Sequence, residues 1–211
     1  MRRLPIYLVL DVSGSMRGEP IQAVNEGIHA LIESLKMDPY AIETAYLSVI
    51  KFNNQVEQVV PLTEVFAFNA PELIAEQGTY IGKALHFLAD AIDREVVKTT
   101  FETKGDWKPL VFLMSDGRSG DSIAKAMSKI DRRKLGFVVA CAAGKNSNVD
   151  ALREITESVV QLDSMNKETI ASFFKWVSAS VTTSSAKIDE VKTEVAVLDE
   201  LPPLPPELNL I

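Results

Sequence analysis

Asp11, Ser13 and Ser15 occupy alternate positions in the segment DVSGS, Thr79 lies in QGTYIG, and Asp116 lies in MSDG. Two carboxylates and three hydroxyls form a set of hard oxygen donors. Such a set suits Mg2+ or Mn2+, with Ca2+ as a third candidate, since these ions take oxygen ligands and commonly keep waters among them. An aspartate set back from the ion can hold its waters and still supply compensating charge. Hydroxyl ligands are neutral, so an ion held mainly by them keeps most of its positive charge. It should therefore draw an anionic group to an open position. Gly14, Gly18 and Gly117 lie in the same loops and let backbone come close to an ion.

For these residues to act together, the chain must carry them to one place. Residues 5–10 form a continuous apolar run that stops at Asp11, as expected of a strand buried on both faces. Residues 109–114, PLVFLM, form a second such run and end in Ser115-Asp116-Gly117. A third runs from Leu135 to Ala143. Pro20 opens a helical pattern in which Ile21, Val24, Ile28, Leu31, Ile32 and Leu35 recur, and Pro39 ends it near Met37. Residues 43–52 and QVEQVVPL, joined at Asn53-Asn54, predict an antiparallel hairpin. Thr79 precedes a long helical pattern from Ile81 to Val96. Further helices are predicted over 121–134 and 148–156, a short strand over 158–162, and a last amphipathic helix through Ile170, Phe173, Phe174, Val177 and Val181. Alternating strands and helices predict a doubly wound α/β fold. Its central sheet should be mostly parallel, with one antiparallel edge strand and helices on both faces. In such sheets, ligands bind at the carboxyl ends of the strands, where the strand order reverses. Asp11, Thr79 and Asp116 should meet there.

Composition narrows the function classes. The chain of 211 residues has a formal net charge of -7, which disfavours a nucleic-acid partner. Its one cysteine, Cys141, excludes an internal disulfide and a thiolate zinc site, and its apolar setting reads as core. No apolar stretch is long enough to span a bilayer, and the basic start MRRLPIYLVLD reads as a strand rather than a leader. A cytoplasmic location is the expectation. His29 and His86 fall beside the apolar faces of their helices, which leaves a Ser-His-Asp hydrolase without support. Trp107 and Trp176 read as packing residues. Glu19 reads as a charge on a helix dipole, and Asp121 as a helix start.

The stretches LVLDVSGSM and FLMSDG, with a threonine between them in sequence, resemble the metal-ion-dependent adhesion site of von Willebrand factor A domains. The resemblance covers about residues 4–182. It implies that Ser13 and Ser15 bind the metal directly, Thr79 directly or through water, and Asp11 and Asp116 mainly through water. A partner's Asp or Glu would complete the shell. Ser115 stands where threonine commonly precedes the aspartate, and DGRSGD is a compact continuation. The longer stretches LPIYLVLDVSGSMRGEPIQAVNEGI, DPYAIETAYLSVIKF and KGDWKPLVFLMSDG resemble bacterial TerY-type tellurite-resistance proteins. That likeness implies a stress-response setting with a kinase or phosphatase as partner.

Two other functions compete with this non-enzymatic binding module. A Mg2+-dependent phosphoryl-transfer enzyme would use Asp11 as nucleophile, but the acid such enzymes carry two residues on is replaced by Ser13, which cannot protonate a leaving group near neutral pH. An assembly protein would instead use residues 183–211. This acidic segment ends in LPPLPPELNLI, and it reads either as a solvated tail or as a segment that lies on the domain or docks into a partner. The expected domains are therefore 1–182 and a tail from 183 to 211.

Overall fold

The computed structural model describes residues 2–191 and 201–211. Seven strands form one sheet in the order β3-β2-β1-β4-β5-β6-β7. They are β1 (Leu4–Asp11), β2 (Ala45–Phe52), β3 (Val56–Glu64), β4 (Leu110–Ser115), β5 (Val138–Ala142), β6 (Val159–Leu162) and β7 (Leu208–Leu210). Strands β1, β2, β4, β5 and β6 pair in parallel, while β3 and β7 run antiparallel at the two edges. The doubly wound reading holds, with a second antiparallel edge strand that the sequence did not announce.

Every residue of β1 and β4 is buried, as their apolar runs require. Alternate residues face opposite ways. Leu4, Ile6, Leu8 and Leu10 join the core under α1 (Glu19–Lys36) and α6 (Lys167–Val191), together with Phe112, Phe173, Phe174 and Trp176. Tyr7, Val9, Val111 and Leu113 face α3 (Ile81–Glu95), with Leu85 and Leu88. Gly27 lets α1 and α6 approach, because a side chain there would meet the ring of Phe174. Cys141 is buried, which pushes its thiol far above the usual range and fits a packing role.

Three local expectations are corrected. The helix expected over 121–134 is only α4 (Ile123–Met127) followed by a 3-10 turn at Arg132–Lys134. The helix ends at the Ser128 C-cap, and the Asp131 carboxylate accepts the Arg133 backbone N–H and starts the new turn. A short α2 (Pro39–Thr44) also forms, capped by the Asp38 carboxylate on the N–H groups of Tyr40 and Ala41. The helix expected over 148–156 is α5 (Val149–Arg153), capped by the Asn148 side chain.

The boundary expected after residue 182 falls inside α6. Residues 201–211 return to the domain instead of extending from it. The Trp176 Nε1–H donates to the Pro202 carbonyl at 2.9 Å, Leu201 and Leu204 pack on the α6 side of the core, and Leu208 is buried. Val195, Val197 and Leu198, further apolar residues of the segment, lie outside the described residues.

Candidate metal centre

Strand β1 has β2 on one side and β4 on the other, so the strand order reverses between β1 and β4. The carboxyl ends of these two strands carry Asp11 and Ser115. The motif after β1 leaves the strand at Asp11 and turns into a 3-10 segment at Gly14–Met16. Asp11 is 1% exposed and Ser13 is 3% exposed. One carboxylate oxygen of Asp11, Oδ1, accepts the Ser13 backbone N–H at 2.8 Å. The other, Oδ2, accepts the Ser115 hydroxyl at 2.6 Å. That hydroxyl in turn accepts the Gly117 N–H at 3.1 Å, fixing the start of the loop that bears Asp116.

Burial pushes the Asp11 carboxyl up to about 6, with repulsion from Asp116 adding to the rise. The hydrogen bonds from Ser115 and Ser13 oppose it. A carboxylate so placed is short of positive charge. Among the described residues, no three His, Cys, Asp or Glu side chains cluster as a metal site. The donors gathered at this end of the sheet are two carboxylates, Asp11 and Asp116, and neighbouring hydroxyls.

The hydroxyls of Ser13 and Ser15 lie 3.0 Å apart. Neighbouring ligands of an octahedral ion with bonds near 2.1 Å stand about 3 Å apart, so this spacing fits a shared Mg2+. Ser13 leads the 3-10 turn without capping it through its side chain, which leaves its hydroxyl free of that duty. The Asp11 bond to the Ser13 N–H also shapes the turn.

Thr79 reaches this end through a different set of bonds. The Glu76 N–H donates to the Val12 carbonyl and the Tyr80 N–H to the Asn53 carbonyl, pinning its loop to the ends of β1 and β2. The Gly120 N–H donates to the Thr79 carbonyl at 2.8 Å, so the loop after β4 is tied to Thr79 as well. Ser119 and Asp121 complete that tie. The Ser119 hydroxyl accepts the Ile81 N–H, and the Asp121 carboxylate accepts those of Gly82 and Lys83. Asp121 thus caps α3 from another loop, while Ser122 caps α4, where Asp121 was expected to start the helix.

Asp116 is half-buried, and its Oδ1 accepts the Arg118 N–H at 3.0 Å. With Ser15 it lines a shallow cleft of about 280 Å3, and Thr79 lines a neighbouring one of about 510 Å3. Arg118 borders both. Direct contacts link Asp11, Ser13, Ser15 and Ser115, and the loop bonds bring Asp116 and Thr79 to the same end. Ser115 was read as a departure in spelling. Its role becomes visible only when β1 and β4 are seen side by side.

Glu19 heads α1, as expected of a dipole residue, and its carboxylate also accepts the Lys167 N–H at the start of α6. His29 is exposed and His86 half-buried, away from any role at this end.

Solved structures with this fold include a von Willebrand factor type A protein from Catenulispora acidiphila, at TM-score 0.64 and 18% identity. That match covers 86% of this chain and 43% of the other. Another is proximal thread matrix protein 1 from the mussel byssus with a zinc-occupied MIDAS motif. It has TM-score 0.60 and 18% identity, with coverage of 84% of this chain and 48% of that one. In sequence, matrilin-1 of Gallus gallus is 28% identical over 167 residues, which is 74% of this chain and 31% of matrilin-1. The chain spans about a third of the length of the curated relatives it matches. The family model for the von Willebrand factor type A domain matches residues 6–175, and the chain belongs to that family.

Proposed function

We propose that this chain is a non-enzymatic module that grips an acidic side chain of another protein through a divalent ion. Ser13 and Ser15 would hold the ion directly, Thr79 directly or through water, and Asp11 and Asp116 mainly through its waters. The observation that carries this reading is the pair of hydroxyls 3.0 Å apart beside a buried carboxylate. When bound, the ion supplies a positive charge with a position open to a carboxylate. The donor set favours Mg2+, with Mn2+ or Ca2+ as alternatives. The zinc at the MIDAS motif of the mussel protein supports a divalent ion by analogy.

The residues themselves do the positioning. Ser115 orients Asp11, the Asp11 carboxylate orients the Ser13 backbone, and the Thr79 loop is fixed to the loop after β4. Phosphoryl transfer from Asp11 is disfavoured, since both of its oxygens are engaged and it is almost wholly buried. Likeness to TerY-type proteins supports a bacterial tellurite-resistance or stress-response role, in the cytoplasm, with a kinase or phosphatase of the same system as partner. Among the described residues no helix is long and apolar enough to cross a membrane.

Calorimetric titration with Mg2+ and Mn2+ should show one site, lost in Asp11→Ala. Partner capture from lysate should require the ion, fall with chelator, and fail in both Asp11→Ala and Thr79→Ala. It should also fail when one Asp or Glu of the partner becomes Asn or Gln. A partner retained in excess chelator would overturn the mechanism and move the contact to residues 201–211 or to another face.

A further inference from the structure

We infer that the segment gripped at this site carries a second acidic side chain, read by Arg118 and Lys145 in the cleft beside Asp116. The inference rests on the metal-dependent reading above. The cleft of about 280 Å3 is lined by Ser15 and Asp116 of the proposed metal set, and by Arg118, Lys145, Ser147 and Met165. A ligand that reaches an ion held by Ser15 therefore borders the same space as the two cations.

The loops are built to keep those cations there. The Arg118 N–H is held by Asp116 Oδ1, and its guanidinium donates to the Asn146 carbonyl at 3.3 Å, across to the loop after β5. That loop is fixed in turn, because the Asn148 N–H donates to the Asp116 carbonyl at 2.7 Å and the Ala143 N–H to the Ser115 carbonyl at 2.9 Å. Gly144 takes a left-handed φ of 93°, turning the chain so that Lys145 and Asn146 border the cleft.

Neither Arg118 nor Lys145 is in an ion pair with a carboxylate among the described residues. The chain has 29 acidic and 22 basic side chains, so two cations without acidic partners beside one cleft are against the overall trend. Arg118 uses one of its guanidinium donors on Asn146 and keeps others for an incoming carboxylate. The Ser147 hydroxyl on the same cleft is buried without a hydrogen-bond partner, and an oxygen seated nearby would satisfy it.

The electrostatic logic is that of selectivity. One carboxylate on an ion accepts any Asp or Glu. A second anion, bound by Arg118 and Lys145, rejects segments that lack it. The acidic surface repels such a segment at long range, so the contact has to be made at close quarters, within a Debye length of about 8 Å at physiological salt.

The test uses the full chain, 15N-labelled, with Mg2+ and blocked pentapeptides. One peptide is Gly-Gly-Asp-Gly-Gly, and the others add a second Asp at each later position. At least one two-acid peptide should bind about five- to tenfold more tightly, beyond the statistical gain of offering two carboxylates. Its shift changes should extend to residues 144–147. The gain should vanish in Arg118→Gln and Lys145→Gln, with Mg2+ affinity and one-acid binding unchanged. Equal binding of all peptides, or a gain that survives both substitutions, would overturn the inference while leaving the metal-dependent reading standing. Peptide binding that persists in chelator, or is absent with Mg2+, would instead defeat that reading, and the inference with it.

Discussion

The Ser115 hydroxyl donates to Asp11 Oδ2 at 2.6 Å and so joins the ends of β4 and β1 at the point where the strand order reverses. It is the shortest of the bonds holding the buried carboxylate, and a serine supplies it as well as a threonine would. Ser115→Ala should leave the carboxylate short of a donor. We expect a loss of about 1–3 kcal/mol in denaturant unfolding at neutral pH and weaker Mg2+ binding by calorimetry. Ser115→Thr should preserve both.

Asp11 gives the centre a pH dependence whose sign follows from burial. Its folded value of about 6 lies above the ordinary 3.8, so the folded state binds the extra proton. The stability linked to Asp11 is fully present below 3.8 and is lost as pH rises through about 6. The difference corresponds to about 3 kcal/mol. Thermal melts without metal should show this decline, and Asp11→Asn should remove it. Added Mg2+ should stabilise the wild type more as pH rises through about 6, because protonation of Asp11 opposes a cation beside it.

Val111 and Asp116 separate the core from the site. Val111 is fully buried in β4 and packs on the α3 side, whereas Asp116 is half-buried in a loop. Val111→Asp should abolish cooperative folding, since an unpaired carboxylate would sit in the core. Asp116→Ala should stay folded, with normal circular dichroism, and should lose metal binding. If Asp116→Ala alone unfolds the chain, its role is structural.

The C-terminal segment contributes to stability through Trp176. A chain ending at residue 200 loses the Pro202 carbonyl that Trp176 bonds, and the packing of Leu201, Leu204 and Leu208. We expect a loss on the order of 3–5 kcal/mol in denaturant unfolding. Trp176 emission should shift to the red. Mg2+ binding at temperatures where the chain stays folded should be retained.

The parts legible in the sequence were those set by local pattern. The apolar runs of β1, β4 and β5, the spacing in α1 and α3, and the turn at Asn53-Asn54 each depend on neighbours in the chain. The placement of Asp11 and Asp116 at one end of the sheet was legible because they end or directly follow β1 and β4, whereas Thr79 is carried there by loop bonds to Asn53 and Gly120. What escaped depends on contacts between distant residues. Asp121 caps α3 from 38 or more positions away, and nothing near it in sequence points there. Strand β7 forms because Leu208 meets β6 and the core, and although the apolar residues of the tail left room for a segment lying on the domain, nothing in them specified a strand. Asp131, which caps the 3-10 turn within the expected long helix, has the composition of a helix surface and declares itself only through its bond to Arg133.

Strand β7 also decides how the sheet meets other chains. On the far edge, β3 places Glu57, Pro61 and Glu64 at exposed positions and carries register shifts against β2, features that discourage a further strand from adding. On the near edge, β6 is the sequence VVQL, without charge or proline. Among the described residues the three-residue β7 (Leu208–Leu210) covers it, and β7 closely follows Pro205 and Pro206. The segment therefore occupies an edge to which a further strand could otherwise pair. Shortened versions of the chain should form thioflavin-positive or sedimenting assemblies that the full chain does not.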